Sequence, residues 1–178
     1  LRRDHVEAEK HFKRAIELDP KRPTVLGNYA AFVNKARREF DRAKDLYKRA
    51  IEADPENAGN LGNYASFLSH DRGEFDRAEE FYRRAIEADP DHANNLGNYA
   101  NFLSRDRGEF DRAEEFYKRA IEADPTHANS LTHYGTFLAY DRKDPERAGN
   151  FFKRALEADP KRAGGTYATF LSQDPGEV

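Results

Sequence analysis

The stretch LGNYASFLSHDRGEFDRAEEFYRRAIEADPDHANN occupies residues 61–95, and close copies of it follow one another along the chain every 35 residues. Self-similarity at a fixed period of this size predicts an array of structural repeats. We therefore predict one array over residues 1–178. Its full units are 26–60, 61–95, 96–130 and 131–165, with a partial unit at 1–25 that matches the second part of a repeat and another at 166–178 that matches the first part.

Each unit contains two segments with the spacing of an amphipathic helix. Apolar residues fall at i, i+3, i+4 and i+7 between Leu61 and Leu68, and a second stripe of this kind runs from Phe75 to Ile86. The Asp-Pro pair at 89–90 should stop the second helix, because proline lacks an N–H group and disfavours helical geometry in the preceding residue. Each unit is thus a predicted helix hairpin, and the chain should contain about ten helices.

The start of the second helix is marked by capping residues. Asp144 followed by Pro145 has the pattern of an N-cap and a first helical residue. Glu74 and Glu109 occupy the same cap position in their units, just after turns that contain glycine.

One hairpin cannot bury both of its apolar stripes, but stacked hairpins can, so an all-α solenoid is the predicted fold class. Alanines seven residues apart, such as Ala78 and Ala85, would let the helices cross closely. We expect five aromatic side chains of the unit to fill the core: Tyr64, Phe67, Phe75, Phe81 and Tyr82. We also expect four i,i+4 ion pairs on the outward face: Glu79–Arg83, Glu80–Arg84, Glu114–Lys118 and Glu115–Arg119.

Composition narrows the range of functions. The net charge is −3, and basic and acidic residues are interspersed, so no basic field is available for a phosphate backbone. The chain has no cysteine, which removes disulfides, thiolate metal sites and cysteine nucleophiles. No apolar run approaches the roughly 18 residues of a membrane span. We expect a cytoplasmic protein with neither a nucleic-acid partner nor a membrane partner.

The pattern Leu61-x-x-Tyr64-Ala65-x-x-Leu68, followed by Ala78, Tyr82, Ala85 and Pro90, resembles the tetratricopeptide repeat (TPR). The resemblance covers essentially the whole chain. It implies a solenoid of antiparallel helix hairpins that acts as a protein-interaction scaffold. The unit departs from the family pattern in two ways: it has 35 residues rather than 34, with the extra residue in the Asp71-Arg72 and Asp106-Arg107 turns, and Leu replaces Trp at the first apolar position.

Two related families compete with this interpretation. The run Tyr64-Ala65-x-Phe67 is also similar to the half-a-TPR repeat of RNA-processing scaffolds, although that family favours Trp where Leu61 stands and Glu where Leu68 stands. Pentatricopeptide repeats share the 35-residue length and bind RNA, but their sequence pattern is not evident and the acidic charge opposes RNA.

Tetratricopeptide arrays bind an extended peptide or a helix along a concave face that is lined by the first helices. Projection at 100° per residue predicts that Gly62, Asn63, Ser66, Ser69 and His70 lie opposite the apolar stripe. An amide there offers donors and acceptors that match a peptide backbone. The resulting ladder resembles the asparagine ladder of O-GlcNAc transferase. We predict a peptide-binding face comprising Asn28, Asn63, Asn98, His133, Asn94, Asn129, Lys35, His70, Arg105, Tyr140, Ser66 and Asn101.

Within this predicted face, the position seven residues after the ladder amide differs in every unit: Lys35, His70, Arg105, Tyr140 and Gln173. A constant frame with a variable strip would suit a reading surface, and free drift of exposed positions is the alternative. Glycine inside a helix costs about 1 kcal/mol relative to alanine. We expect the glycine of the LGNYA motif to be needed for close approach of a neighbouring helix, with room for a ligand backbone as the alternative.

Signals of chemistry are absent from the sequence. The histidines lack metal-ligand spacing within one helix, and the chain has neither a glycine-rich phosphate loop nor a nucleophile motif. Capture of a peptide carboxylate is disfavoured because the residue before each ladder Asn is Gly rather than a cation. We predict that the chain is not an enzyme and has no metal site and no cofactor.

Three other functions stay open: a regulatory, sensor or substrate-selecting arm of a larger enzyme such as a signalling NTPase, a half-a-TPR-like RNA-processing scaffold, and an engineered array without a natural ligand. Both terminal units are partial, so we expect the ends either to fray or to be covered by self-association with another copy.

Overall fold

The computed structural model describes residues 2–173 and is all-α over that range. Ten α-helices follow one another in the described part of the chain, joined by short turns. They are α1 (Arg2–Leu18), α2 (Pro23–Phe32), α3 (Phe40–Ala53), α4 (Ala58–Arg72), α5 (Phe75–Ala88), α6 (Ala93–Phe102), α7 (Phe110–Ala123), α8 (Ala128–Tyr140), α9 (Pro145–Ala158) and α10 (Pro160–Gln173).

Consecutive helices pair as predicted. The hairpins are α2–α3, α4–α5, α6–α7 and α8–α9, while α1 matches a second helix and α10 matches a first helix. The chain divides into two compact units, unit 1 over Leu1–Asp89 and unit 2 over Pro90–Val178. One continuous array over 1–178 stays a prediction, and the two units are described separately below.

The first helix of two hairpins ends in a five-residue π-turn, at Val33–Arg37 and at Leu103–Arg107. A π-turn carries one residue more than an α-turn, and the one at Leu103–Arg107 includes Asp106-Arg107, where the sequence places the additional residue. At Asp71-Arg72, the other predicted place, α4 continues as an α-helix to Arg72. The residue that follows is left-handed: Arg38 has φ 56° and Gly108 has φ 70°.

The Asp-Pro pairs end the second helices as predicted, and the last pair has an additional role. The side chain of Asp159 accepts from the N–H of Arg162 at 3.1 Å, so this residue closes α9 and also begins α10. The first helix of the last partial unit, α10, therefore begins at Pro160 directly after α9, and Tyr167 follows Tyr134 by 33 residues rather than 35. The structure confirms Asp144 as an N-cap that accepts from the N–H of Arg147. Glu74 and Glu109 occupy the cap position, but their carboxylates bind basic side chains rather than the N–H groups of the first turn.

The core contains most of the predicted aromatic side chains. Tyr64, Phe67 and Tyr82 are almost completely buried, and Phe81 packs its edge on Tyr64 with the ring centroids 4.8 Å apart. The prediction was wrong for Phe75, which is 39% exposed at the first residue of α5.

The predicted ion pairs are only partly formed. Glu79–Arg83 and Glu114–Lys118 lie at 2.9 and 3.1 Å. Arg84 instead lies over the ring of Phe81, and Arg119 lies over the ring of Phe116. A ring beneath an arginine attracts it by a cation–π interaction, which competes with a solvated i,i+4 pair.

None of the helices in the described range is long and apolar enough to span a bilayer.

Candidate functional site

The predicted ladder amides lie on the first helices of the hairpins and are accessible. Asn28 on α2 is exposed, while Asn63 on α4 and Asn98 on α6 are half-buried. Within the described residues, no hydrogen bond or ion pair is made by these three amides. Each therefore keeps two donors and an acceptor oxygen for something outside the chain.

The fourth ladder position differs from the other three. His133 on α8 is half-buried and interacts within the chain. Asn94 and Asn129, four residues before Asn98 and His133, are half-buried near the starts of α6 and α8.

The variable position is exposed in all four hairpins. Lys35, His70, Arg105 and Tyr140 lie at or near the ends of the first helices, and Tyr140 keeps 51% of its surface exposed. His70 is held by a contact of 2.9 Å between its Nδ1 and the carbonyl oxygen of Ser66. The last member of this series, Gln173, lies outside the residues whose side chains the structure describes.

The position three residues after the ladder amide is only partly available. The hydroxyl of Ser66 lies 2.9 Å from the hydroxyl of Tyr82 on the second helix of the same hairpin, and Asn101 is half-buried. Two residues predicted to point away from the apolar stripe, Gly62 and Ser69, are buried. The prediction was wrong for them because the stacked helices cover more of the first helix than its apolar stripe.

The glycines before Asn28 and Asn98 are explained by neighbours that sequence reasoning missed. A Cβ at Gly27 would lie 1.9 Å from Oδ1 of Asn60, and a Cβ at Gly97 would lie 2.6 Å from Oγ of Ser130. The prediction of close approach is confirmed at these two positions, and the space is already filled.

Asn60 and Ser130 are polar side chains buried between first helices of the same unit. Asn60 donates from Nδ2 to the carbonyl of Pro23 at 3.1 Å, and Ser130 donates from Oγ to the carbonyl of Ala93 at 3.3 Å. Each bond adds a second donor to a carbonyl in the first turn of the preceding first helix. A polar residue directly before Leu61 and Leu131, on the edge of the apolar stripe, was the available signal.

A buried acid on α1 joins this helix to the hairpin α2–α3 in unit 1. Glu9 accepts from Nη2 of Arg37 at 2.7 Å, from Nη1 of Arg42 at 3.1 Å and from the hydroxyl of Tyr29 at 3.1 Å. Burial would raise the pKa of Glu9, but hydrogen bonds from Arg37, Lys13, Arg42 and Tyr29 outweigh it and lower this pKa to about 2.

Unit 2 contains the same arrangement around Glu114. This carboxylate accepts from Nε of Arg142 at 3.0 Å, from Nη2 of Arg147 at 3.4 Å and from the hydroxyl of Tyr134 at 3.2 Å. We call Glu9 and Glu114, each with its two arginines and its tyrosine, the acid clamps. Their cations are internally paired, so the clamps contribute to stacking and leave little charge for a ligand.

A second polar pair links the ends of consecutive first helices. Asn34 donates from Nδ2 to Oδ2 of Asp71 at 2.8 Å in unit 1, and Ser104 donates from Oγ to Oδ2 of Asp141 at 3.0 Å in unit 2. Sequence reasoning missed these pairs, because the partners are 37 residues apart and only stacking brings them together.

Among the described residues there is no group of three or more His, Asp or Glu side chains that could hold a metal ion.

Comparison with known proteins identifies the fold family. The family model described as the middle TPR-like domain of cilia and flagella-associated protein 70 matches residues 71–173, which is more than half of the chain. The chain belongs to the tetratricopeptide-repeat family. A second tetratricopeptide-repeat model matches residues 35–93 of this chain.

Solved structures of other tetratricopeptide-repeat proteins have the same fold. The thermophilic TPR protein TTC0263 of Thermus thermophilus superposes with a TM-score of 0.81 at 20% identity, covering 94% of this chain and 91% of that one. YrrB, which is described as a TPR protein with an unusual peptide-binding site, gives 0.60 at 21% identity, covering 94% and 84%. Yeast Tom70 gives 0.72 at 21% identity, covering 96% of this chain and 37% of that one. A comparison with curated protein sequences gives no match.

Proposed function

We propose that this tetratricopeptide-repeat chain is a protein-interaction scaffold in which the first helices of each unit bind an extended polypeptide through its backbone. The observation that carries the proposal is the set of accessible amides at Asn28, Asn63 and Asn98, none of which has an intramolecular partner in the described structure. An amide pairs with both the N–H and the C=O of a peptide, so recognition through it does not depend on the peptide's side chains.

The surroundings of the amides support this assignment. The space beside the glycine that precedes Asn28 is filled by the neighbouring Asn60, so that glycine contributes packing and the amide next to it is left as the ligand-facing group. The residues that vary from hairpin to hairpin, including Lys35, Arg105 and Tyr140, are exposed at the ends of the same helices and would contact side chains. A protein similar in fold, YrrB, is described as having a peptide-binding site.

The family and the chemistry also favour a scaffold without catalytic activity. Tetratricopeptide repeats generally serve as interaction modules, and two carboxylates whose pKa is lowered, Glu9 and Glu114, are held by arginines of the next hairpin. A cytoplasmic location stays a prediction from composition.

The test uses displayed random peptides of about a dozen residues selected on the intact chain, with affinities then measured by calorimetry. Peptides selected on the wild type should lose at least about tenfold in affinity when Asn28, Asn63 and Asn98 are all changed to Ala, since each lost amide removes hydrogen bonds worth about 0.5–1.5 kcal/mol. Asn150→Ala is the matched control, because Asn150 is an exposed amide on the second helix α9.

The chemistry of recognition can be separated from the site. N-methylation of the bound peptide backbone should weaken binding, whereas alanine substitution of most peptide side chains should not. Unchanged affinity of the folded triple variant would overturn the proposal.

A further inference from the structure

A groove of about 450 Å³ lies between the second helices α1 and α3 of unit 1. Its floor is apolar: Leu46 and Tyr29 are 5% and 2% exposed, and Ile16 is half-buried. Arg42 and Arg49 line the groove as well. An apolar floor beside guanidinium groups is suited to a ligand with an aromatic ring, because a ring packs on apolar side chains and attracts a cation to its face.

The other hairpins show which side chain fills this place. They carry a phenylalanine at the position of Leu46: Phe81 on α5, Phe116 on α7 and Phe151 on α9. Each ring packs on the tyrosine of the first helix in its own hairpin, with the ring centroids between 4.6 and 4.8 Å apart. In the hairpin α2–α3 the corresponding tyrosine is Tyr29, and Leu46 has no ring to place beside it. The groove therefore opens where the other three hairpins hold a phenylalanine.

An arginine is already positioned at the groove. Arg49 donates from Nη2 to the carbonyl oxygen of Pro20 at 3.4 Å. Arg119, at the same position of α7, makes the same bond to Pro90 at 3.4 Å and also lies over the ring of Phe116, 4.9 Å from its centroid. In the described part of the chain, no aromatic ring lies beneath the guanidinium of Arg49. Unit 1 thus keeps the arginine of this arrangement and lacks its ring.

Both signs of charge surround the groove. Its lining includes the basic side chains of Lys13, Arg42 and Arg49 and the acidic side chains of Glu17 and Asp45. These charges offset one another, so the groove has no strong field of one sign to select a charged ligand. A neutral ring fits it better than a carboxylate or an ammonium group.

We propose that the groove beside Leu46 binds a phenylalanine side chain of a partner protein, the side chain that this chain itself uses at the three corresponding places. The bound ring packs on the floor formed by Ile16, Leu46 and Tyr29. Arg49 attracts the face of this ring by the cation–π interaction that Arg119 makes within the chain. Second helices line the groove, whereas the ladder amides lie on first helices, so the inference goes beyond the proposed function and does not depend on it.

The experiment titrates the intact 15N-labelled chain with N-acetyl-phenylalanine methylamide while the backbone amide signals of Ile16, Leu46 and Arg49 are followed by NMR. N-acetyl-leucine methylamide is the matched probe, because it carries an apolar side chain without a ring. The phenylalanine probe should shift the three signals saturably at millimolar concentration. The leucine probe should bind at least about fivefold more weakly, since it offers no ring face to the arginine.

Exchange of residues between hairpins tests the site directly. Leu46→Phe should fill the groove with the chain's own ring and abolish binding, and the fold already accommodates phenylalanine at the three corresponding positions. Phe81→Leu should open the corresponding groove between α3 and α5, so that the phenylalanine probe also shifts the backbone signal of Arg84.

A second kind of variant keeps the test decisive if Leu46→Phe proves unstable. Arg49→Gln should weaken binding of the phenylalanine probe about threefold, because it removes the cation from above the ring. Lys48→Gln is the matched control, since Lys48 is an exposed cation of α3 outside the groove, and it should leave binding unchanged.

Equal affinity for the two probes would overturn the inference, and so would binding of the phenylalanine probe that survives Leu46→Phe. Shifts of the same three signals that depend on protein concentration alone would assign the groove to a second copy of the chain and overturn its assignment to a partner protein.

Discussion

Helices α2–α5 of unit 1 and α6–α9 of unit 2 each form two hairpins, and corresponding residues lie 70 positions apart in the sequence. The junctions between the hairpins are made with different side chains in the two units. Glu114 forms an acid clamp in unit 2, but Lys44 occupies its position in unit 1. There, Lys44 binds Glu74 at 3.1 Å and Arg77 also pairs with Glu74. In this junction of unit 1 the acid, Glu74, belongs to the later of the two hairpins, whereas in unit 2 the acid, Glu114, belongs to the earlier one.

The difference teaches which features of the junction are needed. Helix positions and buried alanines are the same in both units. Where a charged residue differs between the units, its partners differ as well, so that opposite charges still meet at the junction. An acid between two arginines and a lysine beside an acid both leave the junction without an isolated charge. The pairing of charges between hairpins thus constrains stacking, and the identity of each residue depends on its partners.

The largest expected effect is the loss of the acid clamp. Glu114→Gln should lower the free energy of unfolding by about 2.5 kcal/mol, because the carboxylate is only 17% exposed and its loss leaves two partly exposed arginines facing a neutral group. Lys44→Gln in unit 1 should cost less than about 1 kcal/mol, since Lys44 and Glu74 are both partly exposed. Denaturant unfolding measures both losses, and Glu115→Gln, which changes an exposed acid on α7, is the control.

Acid should reproduce this loss. Burial would raise the pKa of Glu114, but hydrogen bonds from Lys118, Tyr134 and Arg147 lower it below its ordinary value of 4.5. A carboxylate with a lowered pKa contributes stability that is complete above its unfolded-state pKa and is lost as the pH falls below it. Glu114→Gln should therefore reduce the acid sensitivity of stability below about pH 4.5.

Equal losses of unfolding free energy for Glu114→Gln and Lys44→Gln at neutral pH would show that the two junctions do not differ.

The next effect concerns the close approach at the glycines. Gly27→Ala should destabilise the chain by about 2 kcal/mol, because its Cβ would collide with the buried Asn60. Gly97→Ala should cost about 1 kcal/mol, because Oγ of Ser130 is 2.6 Å away and can rotate. Denaturant unfolding of the two variants measures the difference.

Exchange of the partner sharpens this prediction. Asn60→Ser converts the unit 1 contact to that of unit 2, and in its presence the cost of Gly27→Ala should fall toward that of Gly97→Ala. An unaltered cost in the double variant would mean that Asn60 is not the obstacle.

A smaller effect separates the units by pH. The N-cap of α4 is Asn57, which accepts from the N–H of Asn60 at 3.0 Å. The N-cap of α8 is His127, whose Nδ1 accepts from the N–H of Ser130 at 3.4 Å and also lies 2.8 Å from Oγ of Ser130. Burial lowers the pKa of His127; Arg162 and His92 act in the same direction, and Asp124 opposes them. Protonation removes the acceptor, so the contribution of this cap is present above the ordinary pKa of 6.5 and is lost as the pH falls.

His127→Asn therefore should not alter stability at about pH 7.5 but should raise the free energy of unfolding at about pH 5.5 by about 1 kcal/mol, the value of an N-cap. Parallel pH dependences in the wild type and the variant would contradict this assignment.

The smallest effect lies in the turns inside the hairpins. Unit 1 has Gly73 at φ 67° and unit 2 has Lys143 at φ 55° in the equivalent left-handed position. Lys143→Gly should raise stability by about 0.5–1 kcal/mol, because glycine adopts a positive φ without steric cost. Arg38→Gly should gain less, since Arg38 also lies over the ring of Phe40. Thermal unfolding would detect the shift, and destabilisation by Lys143→Gly would oppose it.

Much of the fold follows from local patterns. The 35-residue period, the helix stripes, the Asp-Pro stops and the buried Tyr64 and Tyr82 were predictable, because helix periodicity and proline geometry act within a few residues. The exposure of Phe75 was not predictable, because the spacing of apolar residues does not show where the neighbouring helix ends. The peptide-binding role of the ladder amides stays a prediction from the projection of a single helix; Asn28 is exposed, and Asn63 and Asn98 are half-buried.

By itself, the sequence determined the repeat, the helices, the aromatic and alanine core and the outward direction of the amides. Only the tertiary structure decided that Asn60 fills the space beside Gly27, that Asn34 holds Asp71, and that one buried acid joins two arginines of the next hairpin. The physical reason is the distance along the sequence between the residues that interact. Helix formation depends on residues three or four apart, whereas these contacts join residues 28 to 37 apart that meet only after the hairpins have stacked.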